Sequence, residues 1–253
     1  MRRNIALVLS YDGTDFAGWQ VQKGERTVQG AVEEALGELH GEPVKLIGAG
    51  RTDSGVHADG QVGNFRTSMD SVPAERFRDA LNARLPPDIR IRSSILVSDD
   101  FHARRDARAR CYEYRMMGGM TGPADRGRFT WLIRRIPPLG ILNDMAGVIC
   151  GTHDFTAFTA AGDASPHRIR DVYHARFLGH GPLTLFRIRG NAFLWRMVRS
   201  LLGTMVSLAS RGGGEQAMRD ILQSRDRDAA GPTAPPRGLF LTRVDYGTTP
   251  GFH

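Results

Sequence analysis

The stretch from Gly48 to Gly60 (GAGRTDSGVHADG) sets Arg51, Asp53, His57 and Asp59 among four glycines in thirteen positions. Glycine lets a backbone bend sharply and come close to a ligand. Loops on a rigid scaffold are where binding and catalytic residues concentrate. Several chemistries can be tested against this spacing. A dinucleotide fingerprint needs a glycine where Asp53 stands and a helix opening after it, and the sequence has neither. A phosphate-cradling loop needs Gly-Lys-Ser/Thr, which is absent. Asp53, His57 and Asp59 are suitable atom types for a metal, but they lie in a predicted loop with no fixed facing geometry and no further cluster. No metal is expected. Taken alone, the stretch also reads as a Gly/Asp-rich turn between two strands.

The elements that must hold this stretch follow from periodicity. Ile5 to Tyr11 reads as a strand closed by Asp12-Gly13. Thr27 precedes a helix whose apolar face is Val28, Ala31, Val32, Ala35, Leu36 and Leu39, and Gly41 stops it. Val44 to Ile47 is a second strand, and Gln61 to Arg66 a weaker third. Pro73 opens a second helix with Phe77, Ala80 and Leu81 inward, and Ile89 to Val97 is the fourth strand. The order β-α-β-β-α-β is the split βαβ plan. It puts Asp53 between the second and third strands. In the Phe16 to Gln20 segment, Trp19 reads as core.

The chain has 253 residues, 41% hydrophobic and 24% charged, ordinary values for a globular protein. Its formal charge is +7, and only Lys23 and Lys45 of its 34 basic residues are lysine. Net basicity points to a polyanionic partner, and arginine's planar fork suits phosphate and base edges. Two cysteines, Cys111 and Cys150, show no ligand spacing or disulfide framework, as expected in a reducing cytoplasm. The apolar run after Met1-Arg2-Arg3 is short for a signal peptide, and no segment is long and apolar enough to span a membrane.

Past residue 100 the chain is densely basic. Arg104, Arg105, Arg108, Arg110 and Arg115 fall within a dozen residues, with Tyr112 and Tyr114 at strand spacing. Arginines interleaved with aromatics suit a looped nucleic acid, with charge for phosphates and rings for stacking. Arg104, Arg105, Arg108 and Arg110 are the candidate RNA-backbone contacts. Tyr112 and Tyr114 share a strand face, so one of them can be core. Leu139 to Cys150 reads as a helix, Val172 to Leu178 and Leu183 to Ile188 as paired strands, and Asn191 onward as a long helix. Glu215 to Gln223 is a further helix, Ser224 to Pro236 a polar loop, and Leu239 begins the last strand. The second half thus repeats the element order of the first. The expected fold is α+β: two split βαβ (ferredoxin-like or RRM-like) halves, residues 1–103 and 104–253, with joined antiparallel sheets and a central cleft.

Gly50 to Ala58 closely resembles the active-site loop of the tRNA pseudouridine synthase A family, which usually has alanine where this chain has Ser54. The resemblance extends to Phe16–Gln20, Cys111–Tyr114, Gly151–Phe155, Ser165–Arg170, Asn191–Arg199 and Gly238-Leu239. It implies an isomerase that converts uridine to pseudouridine at positions 38 to 40 in the tRNA anticodon stem-loop. By resemblance Asp53 is the nucleophilic carboxylate, Arg199 its cationic partner, Tyr112 the ring that stacks on the target base, and Leu239 the residue that closes over it. Arg51 would help hold the flipped nucleotide. No redox change or group transfer is needed, so neither cofactor nor metal is implied. A cytoplasmic homodimer is expected on the same ground. The rival reading is a non-catalytic RNA-binding protein of two α/β modules. It accounts for the charge and the aromatics, but not for a carboxylate among phosphate-binding arginines.

Overall fold

Alternation of apolar residues makes Arg3–Tyr11 a strand, β1, with Ile5, Leu7 and Leu9 fully buried. Thr27 Oγ1 accepts the Gly30 N–H at 3.3 Å and starts helix α1, Val28–His40. Gly41 ends it at φ +71°, a conformation glycine adopts without a Cβ penalty. Val28, Val32, Ala35 and Leu36 form the buried face, as their spacing predicts. The computed structural model describes residues 2–119, 122 and 127–247.

The chain divides into two compact units. One runs to Arg110 and takes in the strand from Phe240; the other is Cys111–Leu239. The boundary therefore lies past residue 103, and the last strand belongs with the first unit.

The first unit holds β1, α1, β2 (Ile47–Gly48), β3 (His57–Thr67), α2 (Phe77–Asn82), β4 (Ile89–Val97) and most of β10 (Leu239–Asp245). Its strand order is β4-β1-β3-β10, and β2 also pairs with β3. β1 is antiparallel to both neighbours, with Ile5 opposite Phe65 and Leu96. β10 runs parallel to β3, Phe240 opposite His57. This is the split βαβ plan with one added strand. β2 is shorter than expected and β3 longer. His57, Ala58, Asp59 and Gly60 lie in β3, so the loop that carries Asp53 is confined to residues 49–56.

The second unit holds most of β5 (Ala109–Gly118), then β6 (Trp131–Ile133), α3 (Leu139–Val148), β7 (Gly151–Asp154), β8 (Ile169–His180), β9 (Leu183–Gly190), α4 (Met197–Ser210) and α5 (Glu215–Ser224). Its strand order is β5-β9-β8-β7, with β6 parallel beside β5. The β8–β9 hairpin pairs Phe177 with Phe186, whose rings lie 4.6 Å apart. The class is α+β with mostly antiparallel pairing, as expected. The helix foreseen from Asn191 begins only at Met197. Asn191 forms a two-way link to Asp171 instead: its Oδ1 accepts the Asp171 N–H at 3.1 Å and its Nδ2 donates to Asp171 Oδ2 at 3.0 Å. Arg196 then turns the chain into α4 at φ +61°. Among the described residues no helix is long and apolar enough to cross a membrane.

Candidate active site

Asp53 is half-buried in the turn between β2 and β3, and the backbone around it is tied on both sides. The Asp53 carbonyl accepts the Val56 N–H at 3.1 Å. The Thr52 carbonyl accepts the Trp19 N–H at 3.1 Å, and the Thr52 hydroxyl lies 2.8 Å from the Tyr11 hydroxyl. The Phe16 carbonyl accepts the Gly55 N–H and the Ser54 hydroxyl, at 3.4 and 3.1 Å. Ser54, the departure from the usual alanine, thus adds one bond to the same anchor. On the β3 side, Gln61 Nε2 donates to the Gly50 carbonyl at 2.7 Å.

Two glycines outside the loop permit this close approach. A Cβ on Gly18 would lie 2.7 Å from the Thr52 carbonyl oxygen, and Gly18 sits at φ +99°. A Cβ on Gly13 would lie 2.0 Å from the Val56 carbonyl oxygen. Trp19 is core, as expected, its indole lying flush on the Gly48 backbone. Residues 13–19 therefore act as a strap over the catalytic candidate. Sequence reading marked the segment by its resemblance but did not single out Gly13 or Gly18.

The other charged residues of the stretch separate by depth. Arg51 is exposed, with its Nε donating to Gln20 Oε1 at 3.1 Å. His57 is fully buried, stacked on Phe240 at 4.6 Å, and its Nδ1 accepts the Gly13 N–H at 3.0 Å. It is a structural residue of the strap. Asp59 lies on β3, and its carbonyl accepts from Arg92 at 2.7 Å.

The arginine cluster divides in the same way. Arg104, Arg105 and Arg108 are exposed. Arg110 is only 9% exposed, and its guanidinium donates to the carbonyls of Ala49, Arg104 and Ala107 at 2.8, 2.8 and 2.9 Å. Arg110 braces the base of the Asp53 loop, contrary to the backbone contact expected of it. The physical reason is depth: a guanidinium held among main-chain carbonyls has its fork directed inward.

In the second unit, Tyr112 and Tyr114 sit on one face of β5 with different surroundings. Both belong to the buried core; Tyr114 is fully buried, and its hydroxyl donates to the Pro235 carbonyl at 2.6 Å. Burial pushes its phenol well above the usual range, against the pull of the Arg199 and Arg237 cations. Tyr112 is 8% exposed and meets Phe193 edge-on at 5.3 Å. Arg199, on α4, donates through Nε to the Ala234 carbonyl at 2.8 Å, and its own carbonyl accepts the Ala234 N–H at 3.0 Å. Gly238 lies against the Tyr114 ring with no room for a Cβ, which fixes the approach to Leu239. The 234–239 segment thus joins Arg199, Tyr114 and Leu239 within this unit.

What this arrangement offers is a strapped carboxylate turn in one unit, and in the other an arginine anchored beside an aromatic strand. Comparison with known proteins identifies the family. The family model described as tRNA pseudouridine synthase matches residues 7–105 and 145–247. A tRNA pseudouridine synthase A from Treponema denticola is 46% identical over 250 residues, 97% of this chain and 93% of the relative. One from Geobacillus kaustophilus is 40% identical over 250 residues, covering 97% and 95%, and one from Shouchella clausii 42% over 244 residues, covering 96% and 93%. The matched residues span the Asp53 turn, its strap, and α4 with Arg199, and on that breadth the chain belongs to the tRNA pseudouridine synthase family.

Proposed function

We propose that this chain isomerises uridine to pseudouridine at positions 38 to 40 of the tRNA anticodon stem-loop, with Asp53 as nucleophile. The observation that carries the reading is the strapped turn. A carboxylate is presented half-buried on a backbone fixed from both flanks, next to the exposed Arg51. A fixed carboxylate is suited to covalent catalysis, because it can form and release a bond without reorganising its support. The rival reading as a non-catalytic RNA-binding protein does not survive membership of an enzyme family.

The chemistry needs only the nucleotide. The N1–C1′ bond breaks, the uracil turns, and C5 bonds to C1′. C5 then gives up its hydrogen as a proton, and N1 ends protonated. The role that resemblance gives Arg199 is to keep the carboxylate charged, since an opposite charge favours the ionised form. Tyr112 supplies a ring for the flipped uracil and Leu239 an apolar cover. Taking the base from its stack costs roughly a few kcal/mol. Contacts from Arg104, Arg105 and Arg108 to phosphates would offset this, with an affinity that falls steeply as salt rises. Action in the cytoplasm as a homodimer belongs to the same reading, and molar mass in solution tests the dimer.

The deciding experiment uses tRNA carrying 5-tritiated uridine. Asp53→Asn is nearly isosteric and should release no tritium, while keeping its melting temperature and binding tRNA at least as tightly. Asp59→Asn, on β3, should retain most activity. Tritium release by Asp53→Asn would sink the nucleophile assignment. Release from uridines outside 38–40 alone would sink the site assignment.

A further inference from the structure

A cavity of mixed polar and apolar lining lies wholly within the second unit. It has a volume of about 480 Å³, and Arg196, Ser200, Arg227, Asp228 and the 230–233 loop line it. That volume falls within the roughly 300–1,000 Å³ of small-ligand sites and exceeds what one phosphate needs. None of the residues assigned to the uridine chemistry lines it.

Three observations bear on what it holds. The first is cationic. Arg227 donates only to neutral oxygens, those of Ala230, Gly231 and Thr233, at 3.4, 3.2 and 3.2 Å. Arg196 lies 4.8 Å over the Trp195 ring. Among the described residues neither guanidinium pairs with a carboxylate. The second is the start of α4, which has no side-chain cap and no acidic residue in its first turn. Its N–H groups and dipole favour an anion. The third is Ser200, 1% exposed, whose Oγ has no hydrogen-bond partner. Buried hydroxyls are ordinarily satisfied. It is an orphaned polar atom on a residue of the cavity wall.

Trp195 precedes the lining residue Arg196 in the chain, and the Arg196 guanidinium lies over its ring. Trp195 is 44% exposed although most large apolar side chains of the chain are buried. Its carbonyl accepts the Ala160 N–H at 3.1 Å, which fixes it beside the cavity wall at Ala160 and Ala161. Asp228 would repel a bare phosphate but can accept a hydrogen bond from a ribose hydroxyl or a base amine.

We infer that this cavity is a second RNA subsite, taking one nucleotide of the tRNA other than the reacting uridine. The phosphate lies between Arg196, Arg227 and the α4 N-terminus, the ribose or base edge donates to Asp228, and the base stacks on Trp195. The inference rests on tRNA being the substrate and is independent of Asp53.

The test measures tRNA affinity across a salt series, together with the single-turnover rate at saturating tRNA. The variants are Arg227→Gln, Arg196→Asn and Trp195→Ala, each checked by melting temperature. Asparagine tolerates the left-handed backbone at Arg196, so that variant should fold even if the Arg227 loop does not. Each arginine variant should lower the log–log salt slope by about one. Trp195→Ala should weaken binding roughly 5- to 100-fold at constant slope. The rate at saturation should stay within twofold of the unmodified chain. Unchanged affinity and slope in folded Arg196→Asn and Trp195→Ala would overturn the subsite. AMP alone separates the sources of the nucleotide: if Arg227→Gln or Arg196→Asn abolishes AMP binding while tRNA affinity and slope hold, the cavity serves a free nucleotide and the RNA subsite is wrong. Failure of the unmodified chain to form pseudouridine would sink the proposed reaction, and the affinity measurements would still decide the subsite.

Discussion

Replacing Gly18 with alanine should misplace Asp53 without touching any charged or substrate-facing group. The new Cβ would stand 2.7 Å from the Thr52 carbonyl oxygen, against ordinary contact from 3.4 Å, so that oxygen must retreat by about 0.7 Å. It is a backbone atom on the residue before Asp53, so the turn moves with it. A misplacement of about 1 Å at a reacting group costs on the order of 100-fold in rate. Gly18→Ala should therefore lower the single-turnover rate by roughly 10- to 100-fold. The φ of +99° adds strain of about 1–3 kcal/mol for a residue with a side chain. For a chain of this size each kcal/mol moves the melting temperature by about 2–4 °C, giving a fall of roughly 2–12 °C. Tritium release on 5-tritiated-uridine tRNA reads the rate, and anisotropy of labelled tRNA reads the affinity, which should change less than about twofold because no phosphate contact is lost. A variant with the expected fall in melting temperature but a wild-type rate would refute the claim that the strap positions the carboxylate.

Three further outcomes follow from the geometry. Tyr112→Ala should cut turnover roughly 5- to 100-fold while tRNA affinity changes little, because a stacked base counts only once it is flipped; wild-type turnover in that variant would make Tyr112 a core residue only. Arg110→Ala removes three charge-assisted bonds to carbonyls and should cost about 3 kcal/mol of stability, read in urea, with the salt slope of binding unchanged; Arg105→Ala should do the reverse. Burial alone would raise the Asp163 carboxyl, but the Trp195 and Ser165 N–H groups, the Ser165 side chain and Arg168 outweigh it and hold its pKa at about 2. Its folded pKa is depressed, so its contribution is present above about pH 4 and lost as pH falls toward 2, at about 2 kcal/mol. Asp163→Asn should be less stable at pH 7 and show a flatter stability profile in that acid window.

The Asp53 turn was legible in the sequence as a candidate because its signals are side chains: glycines and charges concentrated between two apolar runs. The first unit's element order was legible for the same reason, since β1, α1 and β4 carry clean periodicities. What escaped is main-chain and depth information. The strap works through the carbonyls of Thr52 and Phe16 and through the missing Cβ of Gly13 and Gly18, and none of these leaves a periodic trace. Arg110 could not be told from Arg104 or Arg105 by charge pattern, because spacing does not report which guanidinium is enclosed by carbonyls. The start of α4 was placed too early because Asn191–Arg196 is apolar enough to continue a helical pattern. The Asn191–Asp171 link is a long-range contact that no local window contains.

Four of the bonds that set the Asp53 turn are of one kind. Tyr11 to Thr52, Trp19 to Thr52, Ser54 to Phe16 and Gln61 to Gly50 are all neutral. Arg110, a cation, donates to the main-chain carbonyls of Ala49 and Ala107. A turn built from ion pairs would loosen as salt screened them and would place competing charges beside the nucleophile. Neutral bonds avoid both effects, and Arg104, Arg105 and Arg108 stay exposed. On the proposed reading, this would separate two demands that otherwise conflict: electrostatics would capture the substrate and respond to salt, while neutral bonds such as Thr52 to Tyr11 would help set the geometry of the Asp53 carboxylate.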